Sequence, residues 1–368
     1  MKYFSMFSGI GGFEYGIQNA DRKLWQEERI STNNNQSDSV SDILQGHSAQ
    51  SGRTSCIGYS EIDKYAIKVY ERNFNGDNRP DLRNWTKEIQ NNSTNSTERK
   101  DGLTRGHKNY GDATKINPTE LPDFDLLVGG FPCQAFSIAG KRKGFDDTRG
   151  TLFFDIARIL AEKRPRHLVL ENVKGLLSHD SGKTFQTILG VLSDLGYGVE
   201  WQVLNSKDFG VPQNRERVII VGHLGNECRR KVFPITRQSN PNTTLGKSTE
   251  ASVARTLTAG GHSGGNHSGM TILQLNQPKH SNDRVYGDKP LSPTLNTMQG
   301  GNRQPFIQDE PRIRRLTPIE CERLQGFPDN WTALDQDGQL ISDTQRYKMC
   351  GNAVTTNVIQ AVMEQLCV

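Results

Sequence analysis

Residues 151–171 read TLFFDIARILAEKRPRHLVLE, and the change of rhythm inside that stretch decides the fold. From Thr151 to Lys163 the apolar residues recur at helical spacing, whereas HLVLE (167–171) is a short apolar run closed by a carboxylate, as in a buried strand. Working outward, FDLLV (124–128) reads as a strand, FQTILGVLSDLG (185–196) as a helix ended by glycine, and YGVEWQVLN (197–205) and RVIIVGH (217–223) as further strands. Towards the start, YFSMF (3–7) and CIGYS (56–60) read as strands, with helices expected from Phe13 to about Ala20 and over KYAIKVYERNF (64–74). Strands alternating with helices of this length predict an α/β fold, a mostly parallel sheet with helices on both faces. Ligands of such sheets gather at the carboxyl ends of the strands.

After about residue 225 the pattern changes. Residues 226–308 are rich in Gly, Ser, Asn and Thr, lack a long helical pattern, and echo themselves in ARTLTAGGHSGGNHSGMTIL (254–273) and SPTLNTMQGGNRQPFI (292–307). The expected organisation is a first domain over 1–225, a small loop-rich domain over 226–308, and a C-terminal part over 309–368. In that last part PIECERLQGF (318–327) and TTNVIQAVMEQLC (355–367) read as helices, the second docking back on the first domain. The polar tracts near 31–55 and 84–109 read as insertions between elements, where added length costs little.

Length and composition narrow the class. A chain of 368 residues supports two or three domains and a sizeable core. The net charge of +4 says little by itself, but residues 226–308 carry ten Lys and Arg against four Asp and Glu, which suits a groove for a polyanion. The six cysteines form no Cys-x-x-Cys pair or Cys/His cluster, against a disulfide framework or structural zinc, and no metal is expected. No signal-like segment and no run of eighteen apolar residues occurs, so the expectation is a soluble cytoplasmic protein with no membrane contact.

The residues that carry chemistry fall just past predicted strands. SGIGG (8–12) follows the first strand, and a glycine-rich strand-to-helix loop either admits a nucleotide-like ligand to its backbone amides or is a tight turn. Glu61 ends the second strand, where it either accepts ribose hydroxyls or is simply solvated. Cys133 follows Pro132 in GGFPCQAFSIAG (129–140), with Lys141, Arg142 and Lys143 near enough in sequence to favour a thiolate; the alternative is an inert buried cysteine. Glu171 closes an apolar strand, where partial desolvation raises a carboxyl pKa and suits proton donation; the alternative is a capping or ion-paired residue. Gln213, Arg215 and Arg217 alternate at spacing two, putting three donors on one face for a base edge, a phosphate or a carboxylate, unless they are ordinary solvated strand-edge residues.

Together FSGIGGFE (7–14), GGFPCQAFS (129–137), RGTLFFDIARIL (149–160), ENV (171–173), QNRERV (213–218), RRLTPIECERLQGFPDNW (314–331) and GNAV (351–354) resemble, in order, the motifs of bacterial DNA cytosine-5 methyltransferases of type II restriction-modification systems. The match spans almost the whole chain apart from the two polar tracts and residues 226–308. The resemblance implies a Rossmann-like methyltransferase sheet that binds S-adenosylmethionine, with 226–308 as target-recognition domain. Phe7, Gly9, Gly11 and Gly12 resemble the cofactor loop, Glu61 with Ile62 the ribose end, and Asp112 the acid near the adenine. Pro132, Leu152, Asn352 and Val354 resemble further cofactor contacts. Ile62 stands where the family often has an aromatic residue, so adenine packing at that point is either weaker or supplied by Phe7 and Leu152.

The same resemblance makes Cys133 the nucleophile, Glu171 the acid at the base's N3, and Arg215 and Arg217 the arginines of the catalytic pocket. C5 of cytosine is a poor nucleophile, so the thiolate must first add at C6, and the base must first leave the duplex stack. Residues 134–150 have the length and glycines of a loop that closes over an extruded base. Gln134, Ser137, Arg149, Gln213, Thr256 and Thr294 are the expected contacts to double-stranded DNA. The expected protein is a monomer, functionally paired with a restriction endonuclease of the same specificity. Two alternatives share the motifs: a transfer-RNA cytosine-5 methyltransferase, whose recognition region is more compact, and a catalytically dead DNA-binding relative, which would have a broken motif where this chain has intact ones. A nicotinamide dehydrogenase has no use for the thiol.

Overall fold

The computed structural model describes residues 1–33, 54–75, 106–132, 152–225, 231–235, 285–286, 292–295, 306–309 and 312–366. Among them six strands form the central sheet: β1 (Lys2–Met6), β2 (Ser55–Ser60), β3 (Leu126–Gly130), β4 (His167–Val173), β5 (Tyr197–Asn205) and, after the two-residue β6 (Gln213–Asn214), β7 (Glu216–Leu224). Their order is β2-β1-β3-β4-β7-β5. The first four are mutually parallel, and β7 runs antiparallel to both of its neighbours. The order reverses beside β1, since β2 lies on one side and β3 on the other. A crevice therefore opens at the carboxyl ends of the strands, as in other open α/β sheets.

Because β7 is reversed, it brings its first residues to that rim. Arg217 stands opposite Val173 of β4 and Leu204 of β5. The period of two along each strand then sorts the side chains. Leu168 and Leu170 of β4 and Val218 and Ile220 of β7 pack on one face against helices α3 (Leu152–Lys163) and α4 (Lys183–Asp194). Val169, Ile219 and Val221 pack on the other face against α1 (Gly12–Asn33) and the last helix, α7 (Thr356–Leu366). By the same alternation Glu171 and Arg217 fall on the α1/α7 face.

A third core joins α2 (Lys64–Tyr70) to the C-terminal part through Tyr70, Phe74, Trp331 and Met349. There α5 (Pro318–Leu324) starts in a full capping box between Thr317 and Glu320, with Pro318 in its first turn. Next, α6 (Asp343–Asn352) packs on α5 through Tyr347 and Cys350. Outside the main sheet, β8 (Val285–Tyr286), β10 (Phe306–Asp309) and β11 (Arg312–Arg315) make a small sheet, and β9 (Ser292–Pro293) pairs in parallel with β6.

Three elements differ from the sequence expectations. The helix expected from Phe13 to about Ala20 runs on to Asn33, its polar second half held by the Lys23–Glu364 ion pair to α7 and by Arg29 over the Trp25 ring. The strand expected over 124–128 is shifted by two residues, because pairing continues through Gly129 and Gly130 while Phe124 turns into the core beside Phe4. Helix α6 was not expected at all. Most of the tract near 31–55, all but its last few residues of that near 84–109, and the loop 134–150 lie outside the described residues.

Candidate active site

The ends of β1, β2, β3 and β4 and the start of β7 rim one cleft of about 740 Å³. Phe7, Gly9, Glu61, Ile62, Pro132, Leu152, Glu171, Arg215, Arg217, Thr294 and Asn352 line it, so six of the quoted motifs meet there.

On the β1/β2 side the chain turns through Phe7 (φ 55°), Gly9 (φ 55°) and Gly11 (φ 84°) before α1 begins. The N–H of Gly9 donates to Oε2 of Glu61 at 2.8 Å, and the N–H groups of Ile62 and Asp63 both donate to Oε1 at 2.8 Å. These bonds fix the carboxylate and leave acceptor capacity on Oε2 for a hydroxyl group. Ile62 is 72% exposed, an apolar side chain held out at the cleft edge.

The other glycines of the loop serve packing. A Cβ on Gly11 would lie 2.1 Å from Cε2 of Phe74, and one on Gly12 would lie 2.7 Å from Cγ2 of Val354. Val354 is buried behind the loop rather than on the cleft wall. Asp112 is likewise off that wall. It caps the turn Ala113–Lys115 through the Thr114 N–H at 3.0 Å and hydroxyl at 2.8 Å, and these donors with Lys115 hold its carboxyl below the usual aspartate range.

On the opposite side Glu171 Oε1 accepts from Arg217 Nε at 2.9 Å. Burial pushes the Glu171 carboxyl above its ordinary range, against the opposing pull of Arg217 and Arg215. A carboxyl with a raised pKa, held by a fixed cation, suits donation to a ring nitrogen. Next to it the buried Asn172 donates to the Phe131 carbonyl at 2.8 Å and accepts from the Val173 N–H at 2.8 Å. It thereby ties the end of β4 to the segment that carries Pro132. Pro132 is on the cleft wall, while Cys133, Gln134, Ser137, Arg149 and Thr256 lie outside the described residues.

Two donors expected to face a nucleic acid are spent inside the protein. Gln213 is 0% exposed: its amide donates to the Leu324 carbonyl at 2.8 Å and accepts from the Leu295 N–H at 3.1 Å. This corrects the expectation of a DNA contact, because β6 lies under β9 and the α5 end instead of on the sheet surface. Arg215, 2% exposed, donates to the carbonyls of Leu295, Gly351 and Ala353 at 3.0, 3.1 and 2.9 Å. Only Arg217 of the alternating trio meets the carboxylate. Thr294 is exposed on the cleft wall, with its hydroxyl on the Asn214 carbonyl at 2.7 Å.

Sequence reading assigned no role to Asn172, Gln325 or Trp331, though each lies in a quoted motif. Gln325 donates to the Cys350 carbonyl at 2.8 Å and accepts from the Thr355 hydroxyl at 2.9 Å. The Trp331 indole donates to the Ile10 carbonyl at 3.0 Å, reaching the glycine loop from the far end of the chain. For Gln325 the available signal was one polar residue set between apolar ones in LQGF (324–327).

The family model for C-5 cytosine-specific DNA methylases matches residues 1–107 and 94–367. The type II methyltransferase M1.ScrFI of Lactococcus lactis subsp. cremoris is 37% identical over 86% of this chain and 73% of its own length. M.NlaX of Neisseria lactamica is 32% identical over 99% and 96%, and M.HhaI of Haemophilus parahaemolyticus 30% identical over 98% and 93%. Among solved structures the S. pombe Dnmt2 methyltransferase superposes with a TM-score of 0.59 at 17% identity, covering 100% of this chain and 98% of that one, a likeness of fold. With its motifs gathered at one cleft and its whole length matched, the chain belongs to the C-5 cytosine-specific DNA methylase family.

Proposed function

We propose that this methyltransferase acts on double-stranded DNA, transferring a methyl group from S-adenosylmethionine to C5 of a flipped-out cytosine, as the protective methylase of a restriction-modification system. The observation that carries the reading is the half-buried Glu171–Arg217 pair on the wall that also holds Pro132, directly before Cys133 in the sequence. The family description, C-5 cytosine-specific DNA methylase, supports DNA as substrate, and the relatives' names, type II methyltransferases, support pairing with an endonuclease of the same specificity.

The cleft suits the cofactor. It offers Glu61 an acceptor position for a ribose hydroxyl and apolar walls at Phe7, Ile62 and Leu152. Gly9, Gly11 and Gly12 shape the loop beside it, with Pro132 and Asn352 on the wall and Val354 behind. Bound S-adenosylmethionine supplies an electrophilic methyl group for C5.

The protein's own part is to make C5 nucleophilic. The Cys133 thiolate adds to C6 while Glu171 gives its proton to N3, so the ring's electrons are pushed towards C5. Arg217 holds the Glu171 carboxyl in place and stabilises the carboxylate that remains. After methylation, loss of the C5 proton expels the thiolate, and return of the N3 proton to Glu171 restores the neutral ring. Reaching C6 requires the base to leave the stack, and Gln134, Ser137, Arg149, Thr256 and Thr294 are the proposed contacts to the opened duplex.

The test is methylation-sensitive sequencing of DNA from cells expressing the chain, beside Cys133→Ser. A cytosine mark at one short motif, lost in the variant, is expected. Absence of any cytosine mark with the wild-type chain would overturn the assignment.

A further inference from the structure

We infer that Arg215 is a positioning residue that couples the cofactor side of the cleft to its DNA side, rather than a group acting on the base. Its two terminal nitrogens donate to three main-chain carbonyls, and its buried Nε has no partner. Two of them, Gly351 and Ala353, flank Asn352, which is exposed on the cleft wall. The third belongs to Leu295, next to Thr294, which is exposed on the same wall. One rigid, planar, permanently charged fork thus holds two segments that are far apart in sequence.

The rim segment has little other freedom. Residues 292–295 are pinned by Ser292 N–H on the Pro212 carbonyl at 2.8 Å, by Thr294 on Asn214, and by Leu295 N–H on Gln213. Every one of these partners lies within four residues of Arg215. A shift of the 351–353 loop therefore reaches Thr294 through a single side chain. Filling the cofactor site orders that loop, and the ordered loop sets the rim for DNA; by linkage, DNA strengthens cofactor binding by the same factor.

The identities of the two ligands rest on the methyltransferase reading, so the experiment has two arms. In the first, amide hydrogen exchange is measured on the wild-type chain with and without S-adenosylhomocysteine, no DNA being present. Slower exchange in both 351–353 and 292–295 is expected; protection confined to 351–353 would overturn the coupling. This arm needs only cofactor binding and no variant to fold.

In the second arm Arg215→Lys is compared with Arg217→Lys on duplex DNA. Arg215→Lys should raise KM for both substrates about tenfold and leave the saturated single-turnover rate within about twofold of wild type. Arg217→Lys should do the reverse. A lowered saturated rate with unchanged KM values in Arg215→Lys would show Arg215 acting on the reacting base and refute the inference. A wild-type chain that binds the analogue but methylates no DNA would instead refute the DNA reading, leaving the exchange result to stand.

Discussion

Two alanine substitutions in one loop, Gly9→Ala and Gly11→Ala, should have unequal costs. Both residues have positive φ, 55° and 84°, where an L side chain costs about 1–2 kcal/mol. The surroundings then separate them. No atom lies within 4 Å of a Cβ on Gly9, whereas one on Gly11 would sit 2.1 Å from Cε2 and 2.7 Å from Cζ of Phe74. The ring has nowhere to retreat, being buried with its centroid 4.7 Å from Tyr70 and 5.7 Å from Trp331. Overpacking of this kind adds about 1–3 kcal/mol, for a total of about 2–5 at Gly11 against 1–2 at Gly9. Urea unfolding at unchanged m-value reads the difference. The double variant Gly11→Ala/Phe74→Leu should recover the packing part and keep the backbone part, a coupling of about 1–3 kcal/mol. If Gly11→Ala proves no less stable than Gly9→Ala, the argument from close approach is wrong.

Glu171→Gln keeps an acceptor for Arg217 but has no proton to give; single-turnover methylation should fall about 10²- to 10⁴-fold, and retention of more than a tenth of the rate would exclude a donor role. Glu14, fully buried in the first turn of α1, has its carboxyl pushed by burial from 4.5 up to about 7. A raised acid favours the folded state in its protonated form, so this contribution is complete below 4.5 and lost as pH rises through about 7, a fall of about 3 kcal/mol that Glu14→Gln should abolish in denaturation curves. Arg346→Met strands the wholly buried Glu322, to which Arg346 donates at 3.0 Å, and should cost about 3–5 kcal/mol in unfolding free energy. Trp331→Phe leaves the Ile10 carbonyl without its indole donor; a rise in cofactor KM with an unchanged saturated rate is the expected result.

The sheet strands were legible because each is a run of alternating or continuous apolar residues, bounded by turns. The cleft was legible for a related reason: chemistry-bearing residues directly follow strands, and parallel strands share one exit edge. What could not be read were contacts made by side chains between distant segments. Gln213 and Arg215 share the parity of Arg217, but parity gives a face and not its cover, and here β9 and the end of α5 cover it. Helix α6, DTQRYKMCGN, has no strong apolar periodicity and exists through its packing on α5 at Tyr347 and Cys350. The tail of α1 is polar for a similar reason, with solvent on one side and α7 ion-paired on the other.

The reversed direction of β7 bears on where the segment that follows it could be exchanged. The chain leaves β7 at Leu224, at the pole remote from the cleft, and residues 232–235 are then stitched back along β5: Val232 and Phe233 donate to Glu200 at 2.9 and 3.0 Å, and Ile235 to Gln202 at 2.8 Å. Val232 and Phe233 are also part of the core beneath α7. The return splice is equally fixed, at Ser292 and Pro293 on β6. A chimaera that replaces the stretch between these seams should therefore be cut after Ile235 and before Ser292, leaving both seams native, whereas a cut at the end of β7 would tear two buried residues out of the scaffold.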